Sequence, residues 1–256
     1  VLKEGLYEDA ERKETLLDLC RFSTNENDEI MSLSSYLEKM PENQKEIYYI
    51  SAETRSQALA SPHLEGFKSK NIPVLIMTDA IDQFWLPMIG SFKDKKFTSI
   101  TQGQINLDDL DEKNKDKKSE SKDQKEKQDK EFVDLIAQMK VVLGEQVKDI
   151  RLSSKLTDSP VCLVADDGDM DIAMEQLMAQ RDTNYKGAPR ILEINGDHSL
   201  IKNMKSLLSK KENNDLVSDA GTLLFEQARL LEGKMPADPA QFSKIMNQFL
   251  IKAIPE

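Results

Sequence analysis

Residues Glu46–Ser51 read EIYYIS, Pro73–Met77 read PVLIM and Lys96–Ile100 read KFTSI. Each run is short, aromatic or β-branched, and bounded by polar or turn-forming residues, which is how strands read. Between the first two lie Glu53–Ala60, a helix-forming run, and a second helix start at Ser61-Pro62. Ser61 suits the N-cap and Pro62 the first helical position, and Leu64 and Phe67 fall on one face behind them. Between the second and third runs, Asp79 opens a helix carrying Ile81, Phe84, Trp85 and Met88. Strand, helix, strand, helix, strand predicts a short parallel sheet with helices on its faces. The expected class is α/β, in a small three-layer domain.

Upstream of that core, Glu29–Glu38 predicts a helix broken at Met40-Pro41-Glu42-Asn43. Downstream, Asp108–Glu131 is almost purely Asp, Glu, Lys, Gln and Ser, with Leu110 its only apolar residue. Such a stretch buries no core and reads as a charged linker or a solvated helix. The domain boundary falls inside it, with blocks at 1–107 and 132–256.

The second block mixes helix and strand (α+β). Phe132, Leu135, Ile136, Met139, Val142 and Leu143 keep helical spacing, and Gly144 ends that helix. Val147–Leu152, Pro160–Ala165 and Arg190–Ile194 read as strands, with a helix at Asp169–Ala179 between the last two. Asp197 suits the cap of a helix holding Leu200, Ile201, Met204, Leu207 and Leu208. Two helices close the chain. One runs from Asp215 to Leu231 and stops at Gly233, and the other starts with Asp238 as cap and Pro239 at its first position.

Composition narrows the function. The 256 residues carry 35 basic and 46 acidic side chains, a net charge of -11. That balance lacks the basic footprint that phosphate binding requires, so no nucleic-acid partner is expected. The longest apolar run, Val161–Ala165, is far short of the roughly 20 residues a membrane span needs. The first residues, Val1-Leu2-Lys3-Glu4-Gly5, have neither a basic head nor an apolar signal core. Cys20 and Cys162 sit apart among apolar neighbours, as buried thiols of a reducing cytoplasm do. With no initiator Met, the chain is expected to be a piece of a longer protein.

Catalytic patterns are missing. No two of the ten glycines lie closer than Gly187 and Gly196, so neither type of Gly-rich phosphate loop is present. His63 and His198 lack neighbouring Cys or His, which disfavours zinc. The run Asp166-Asp167-Gly168-Asp169-Met170-Asp171 resembles a calcium loop, but Ile172 and Met178 stand where its Gly and bidentate Glu belong. The aspartates suit the dipole of the following helix. No catalytic residue, metal or cofactor is expected in this chain.

Apolar stripes are plentiful. Met170, Ala173, Met174, Leu177 and Met178 share one helical face, which suits either an ordinary core helix or, since Met-rich faces adapt to many partners, a binding surface. Phe242, Ile245, Met246, Phe249, Leu250 and Ala253 form another at the end of the chain. Such a stripe needs a cover, from the preceding helix or from a second copy of the chain; with Leu223, Leu224 and Leu231 on that preceding helix, the hairpin meeting its twin would make a four-helix bundle, hence a homodimer. A dimeric scaffold that binds nothing else, or a small α/β hydrolase using Asp197-His198 or Asp82, are the alternatives.

Ile47–Ser51, Ser61-Pro62-His63-Leu64-Glu65 and Ile81-Asp82-Gln83-Phe84-Trp85 resemble the middle segment of the ninety-kilodalton heat-shock chaperone family, most of all its bacterial branch. So do Gly144–Leu152, Leu156–Pro160, and Leu192–Asn195 with His198. The resemblance covers nearly the whole chain. It implies the small C-terminal part of the middle domain followed by the C-terminal dimerisation domain of an ATP-dependent, stress-response chaperone of the cytoplasm. ATP and magnesium would belong to an N-terminal domain upstream of Val1, so this segment would not be an enzyme. Unfolded or partly folded proteins would be held by Phe84, Trp85, Met170, Leu177 and Met178. One local departure is that bacterial members often carry an acidic residue and Trp where Gln83 and Phe84 stand.

Overall fold

The computed structural model describes residues 2–9, 11–110, 118–182, 185, 187–208 and 214–254. In chain order its elements are α1 (Leu2–Glu8), α2 (Lys13–Leu19), β1 (Ser23–Thr24), α3 (Leu33–Lys39), β2 (Ile47–Ser51), α4 (Arg55–Leu59), α5 (Glu65–Ser69), β3 (Leu75–Met77), α6 (Asp82–Ile89), β4 (Ser91–Phe92) and β5 (Lys95–Ser99). There follow α7 (Lys118–Leu143), β6 (Val147–Leu152), β7 (Val161–Val164), α8 (Ile172–Arg181), β8 (Arg190–Ile194), α9 (Ser199–Leu208), α10 (Asn214–Leu231) and α11 (Pro239–Ala253). They form two compact units, residues 1–116 with 165–188, and residues 117–164 with 189–256. The sequence reading kept 165–188 with the second block, whereas its contacts group it with the first unit.

In the first unit the sheet order is β1-β3-β2-β5-β4. The three strands read from sequence are its parallel centre, β3-β2-β5. The antiparallel edges β1 and β4 have two residues each, too few to show a period. Alternation along the strands feeds two cores, one on each face of the sheet. Ile47, Leu75, Met77 and Phe97 join Leu17, Tyr36 and Trp85 in one. Tyr48, Ile50 and Ile76 join Leu64, Phe67 and Ile100 in the other. The Tyr36 hydroxyl ties α3 to this sheet by donating to the Pro73 carbonyl at 2.7 Å. It also accepts from Gln44 Nε2 at 3.0 Å and from the Tyr48 amide at 3.3 Å. Ser61 accepts from the His63 amide, but the turn it caps is a 3-10 segment, Pro62–Leu64, leading into α5.

In the second unit β8 lies between β6 and β7, parallel to the first and antiparallel to the second. Ile150, Val161, Leu163, Leu192 and Ile194 face a core filled by Phe132, Leu135, Met139 and Leu143 of α7 with residues of α9 and α10. The charged run from Lys118 is the first half of α7, while residues 111–117 lie outside the described residues. Helix elongation is cheap once a turn exists, and the buried stripe from Phe132 to Leu143 holds the turns that Lys118–Glu131 extends.

Two caps behave differently from one another. At α11, Asp238 Oδ1 accepts from the amides of Ala240 and Gln241 at 3.0 and 2.9 Å, with Pro239 next to it, as read. At α9 the capping acceptor is His198 Nδ1, which takes the Leu200 amide at 3.1 Å, and not Asp197. Asp197 is turned instead toward Lys202, 3.0 Å away.

Candidate functional site

The hairpin α10–α11 carries apolar side chains on two faces. Leu224 and Ile245 are buried inside their own chain, and Phe249 packs half-buried on the same core. Within the single chain, then, Leu224 and Ile245 serve the hairpin's own packing and Phe249 does so in part. Leu223 and Phe242 are half-buried, while Leu231 is exposed. The outer face of α11 holds Met246, Leu250 and Ile251 at 39%, 50% and 73% exposure, and Ile254 at its C-cap is 73% exposed. Ile251 and Ile254 escaped the sequence reading, although Met246, Leu250 and Ile254 at i, i+4 and i+8 already trace a second stripe.

Helix α8 starts at Ile172, with Asp171 as its N-cap. Met170 therefore precedes the helix, and is 39% exposed. Leu177 and Met178 are half-buried, as are Ala173 and Met174. The residues that do point fully inward are Ile172 and Glu175, and the Glu175 carboxylate accepts from the Ala188 amide at 3.1 Å.

On α6 the two aromatics part company. Trp85 is fully buried, edge-on to Phe97 at 5.6 Å, and its indole N–H donates to Asp82 at 2.8 Å. It is a core residue and drops out of any surface that touches a partner. Phe84 is half-buried against Tyr7, and Met88 one turn on is exposed. Beneath them Asp82, with no exposed surface, accepts from the Asp79 amide at 3.2 Å and pairs with Lys3 at 2.9 Å. Burial pushes the Asp82 carboxyl up even against the pull of Lys3. Burial works against the Lys3 ammonium, yet Asp82 and Asp79 together raise it. Asp82 and Lys3 are 79 residues apart, so no local pattern announced the pair. The same holds for Glu193, which takes Arg151 at 2.8 Å and Ser153 at 2.8 Å inside the second unit.

Of the residues of the hydrolase alternative, Asp82 is held by Trp85 and Lys3, His198 caps α9, and Asp197 pairs with Lys202 at the surface. Among the described residues no group of three or more His, Cys, Asp or Glu is placed to hold a metal ion. Neither buried cysteine is in a disulfide; the Cys162 thiol donates to Glu193 at 3.9 Å, and burial pushes Cys20 up. Among the described residues no helix is long and apolar enough to cross a membrane.

What remains as candidate surface is apolar and adaptable: the outer face of α11, the Met-bearing edge of α8, and Phe84 with Met88. A family model described as Hsp90 protein matches residues 1–255. The chain belongs to the Hsp90 family. Among curated relatives, the chaperone protein HtpG of Roseobacter denitrificans is 40% identical over 256 residues, 99% of this chain and 41% of that protein. HtpG of Paramagnetospirillum magneticum is 39% identical over 99% of this chain and 40% of its own length. HtpG of Mycobacterium avium is 38% identical over 99% of this chain and 38% of its own length. This Hsp90-family chain thus spans about two-fifths of the length of the relatives it matches.

Proposed function

We propose that this chain is the self-associating, client-contacting portion of a molecular chaperone. The observation that carries the reading is the outer face of α11, where Met246, Leu250 and Ile251, with Ile254 at the C-cap, lie open to solvent on a hairpin whose inner face is already filled. Large apolar side chains of this kind are each worth roughly 1.5–3 kcal/mol when buried, which makes a second copy of the hairpin the natural cover. Met170, Leu177, Met178 and Phe84 would hold unfolded or partly folded proteins, with Met88 extending the patch around Phe84. Weak, deformable contacts suit a protein that must release what it binds. In this reading the protein works in the cytoplasm and this segment needs no cofactor. ATP and magnesium would be handled by other parts of the protein.

Sedimentation tests the assembly. The unmutated chain should be a dimer at micromolar concentration, and Leu250→Asp with Ile251→Asp should give a folded monomer. A monomeric parent overturns the reading. Met170→Ser with Met178→Ser should lower protection of a heat-aggregating model protein, followed by light scattering, with the dimer intact. The half-burial of Leu177 and Met178 favours one other reading, a dimeric scaffold without clients. A large loss of stability in the Met variant, with protection unchanged in proportion to folded protein, would select it.

A further inference from the structure

Residues 165–188 belong to the first unit, and their start is pinned there by the backbone. The Ala165 amide donates to the Thr101 carbonyl at 2.9 Å, the Gly103 amide to the Ala165 carbonyl at 2.8 Å, and Gln102 Nε2 to the Asp169 carbonyl at 2.7 Å. Gly103 has φ +67°, a left-handed conformation that favours glycine. The helix that follows is held differently. Of the ten residues of α8, only Ile172 and Glu175 are buried, and a single inward Ile is a small apolar anchor for a short helix.

Glu175 ties α8 to the Ala188 amide of its own segment at 3.1 Å, and a second carboxylate reaches β5. Asp171 Oδ1 accepts from the Ala173 amide at 2.9 Å and caps α8. Asp171 Oδ2 accepts from Ser99 Oγ at 2.5 Å and Thr101 Oγ1 at 2.9 Å, two buried hydroxyls at the end of β5. Those hydroxyls lie 2.8 Å from each other, so the carboxylate meets a donor pair already assembled. We propose that Asp171 is the positioning residue of α8, a latch whose one oxygen caps the helix while the other fastens it to β5, so that opening the latch frees the helix as a unit. The backbone bonds at Ala165 and Gly103 keep the start of the segment in place when the latch opens. Freed, α8 exposes Leu177 and Met178 together with the Ile172 side that now faces inward. That consequence rests on the client reading above, while the latch itself does not.

Hydrogen–deuterium exchange of the whole chain tests the latch with two variants that spare the cap. Asp171→Ser keeps a good capping oxygen but has no second oxygen for β5. Ser99→Ala with Thr101→Val leaves Asp171 and its cap untouched. Each should speed exchange in α8 by about tenfold or more, since hydrogen bonds to a charged group are the stronger kind. Exchange in β2 and β3 should not change. The combined variant should be no faster than either alone, because both remove the same interaction. Unchanged α8 exchange in Asp171→Ser, or effects that add in full, would overturn the proposal. If the β5 variant disturbs β2 and β3, Asp171→Ser decides alone. Faster α8 exchange with unaltered protection of a heat-aggregating protein leaves the latch standing and removes α8 from the client surface.

Discussion

At the scale of single residues, the first unit is organised around charges and hydroxyls taken out of water. Asp82 serves Trp85, the Asp79 amide and Lys3 at once. Asp82→Ala should cost about 3 kcal/mol, because it strands a buried indole N–H and the Lys3 ammonium together. Asp82→Asn keeps an acceptor for the indole and should cost about half as much, as urea unfolding will read. Tyrosines make a second test. Burial, helped by Glu46, pushes the Tyr48 hydroxyl up to about 12 from its ordinary 10.0, and burial raises Tyr36 and Tyr49 as well. Above pH 10 the unfolded chain therefore releases protons that the folded chain keeps, so stability falls as pH rises. The raised Lys3 ammonium acts with the same sign, its contribution being present below 10.5 and lost as pH climbs through the raised value. Urea midpoints should drop across the alkaline window from 10 to about 12, and Tyr48→Phe should flatten the decline.

At the scale of elements, helix ends and second faces matter most. Asp238 takes two amides at the start of α11. Asp238→Ala should lower stability by about 1 kcal/mol, whereas Asp238→Asn should hold it. Since α11 also presents the outer apolar face, the Ala variant should weaken self-association in sedimentation, in step with its loss of stability. The cap at α9 shows why such positions mislead. Asp197 and His198 are adjacent, both suit a helix start, and only the path of the chain after Asn195 decides which one meets the Leu200 amide. Helix α8 teaches the same lesson about stripes. Its spacing was legible, but its inward side was turned by Asp171 reaching Ser99 and Thr101, more than 60 positions upstream by their numbers.

At the scale of the molecule, a net charge of -11 on each copy would oppose the proposed dimer while the exposed face of α11 would drive it. Salt screens the first and spares the second, so the dimer should tighten as sodium chloride rises, measured as a falling dissociation constant. A bridge built from surface ion pairs would loosen instead. Calorimetry with millimolar ATP should show no saturable binding, because no Gly-rich loop is available to cradle phosphates.

The sequence by itself determined the α/β class, the three parallel strands, the helices from α3 onward apart from the charged first half of α7, and the presence of two apolar stripes. These follow from local periodicity and turn chemistry, which a strand or helix carries within itself. Only the tertiary structure decided where the stripes face. It put Trp85, Leu224 and Ile245 into cores, left Leu250, Ile251 and Ile254 outside, and gave residues 165–188 to the first unit. The reason is physical: which side of an amphipathic element is buried depends on partners distant in sequence. Lys3 reaching Asp82 and Asp171 reaching Ser99 are such partners, and no spacing along the chain records them.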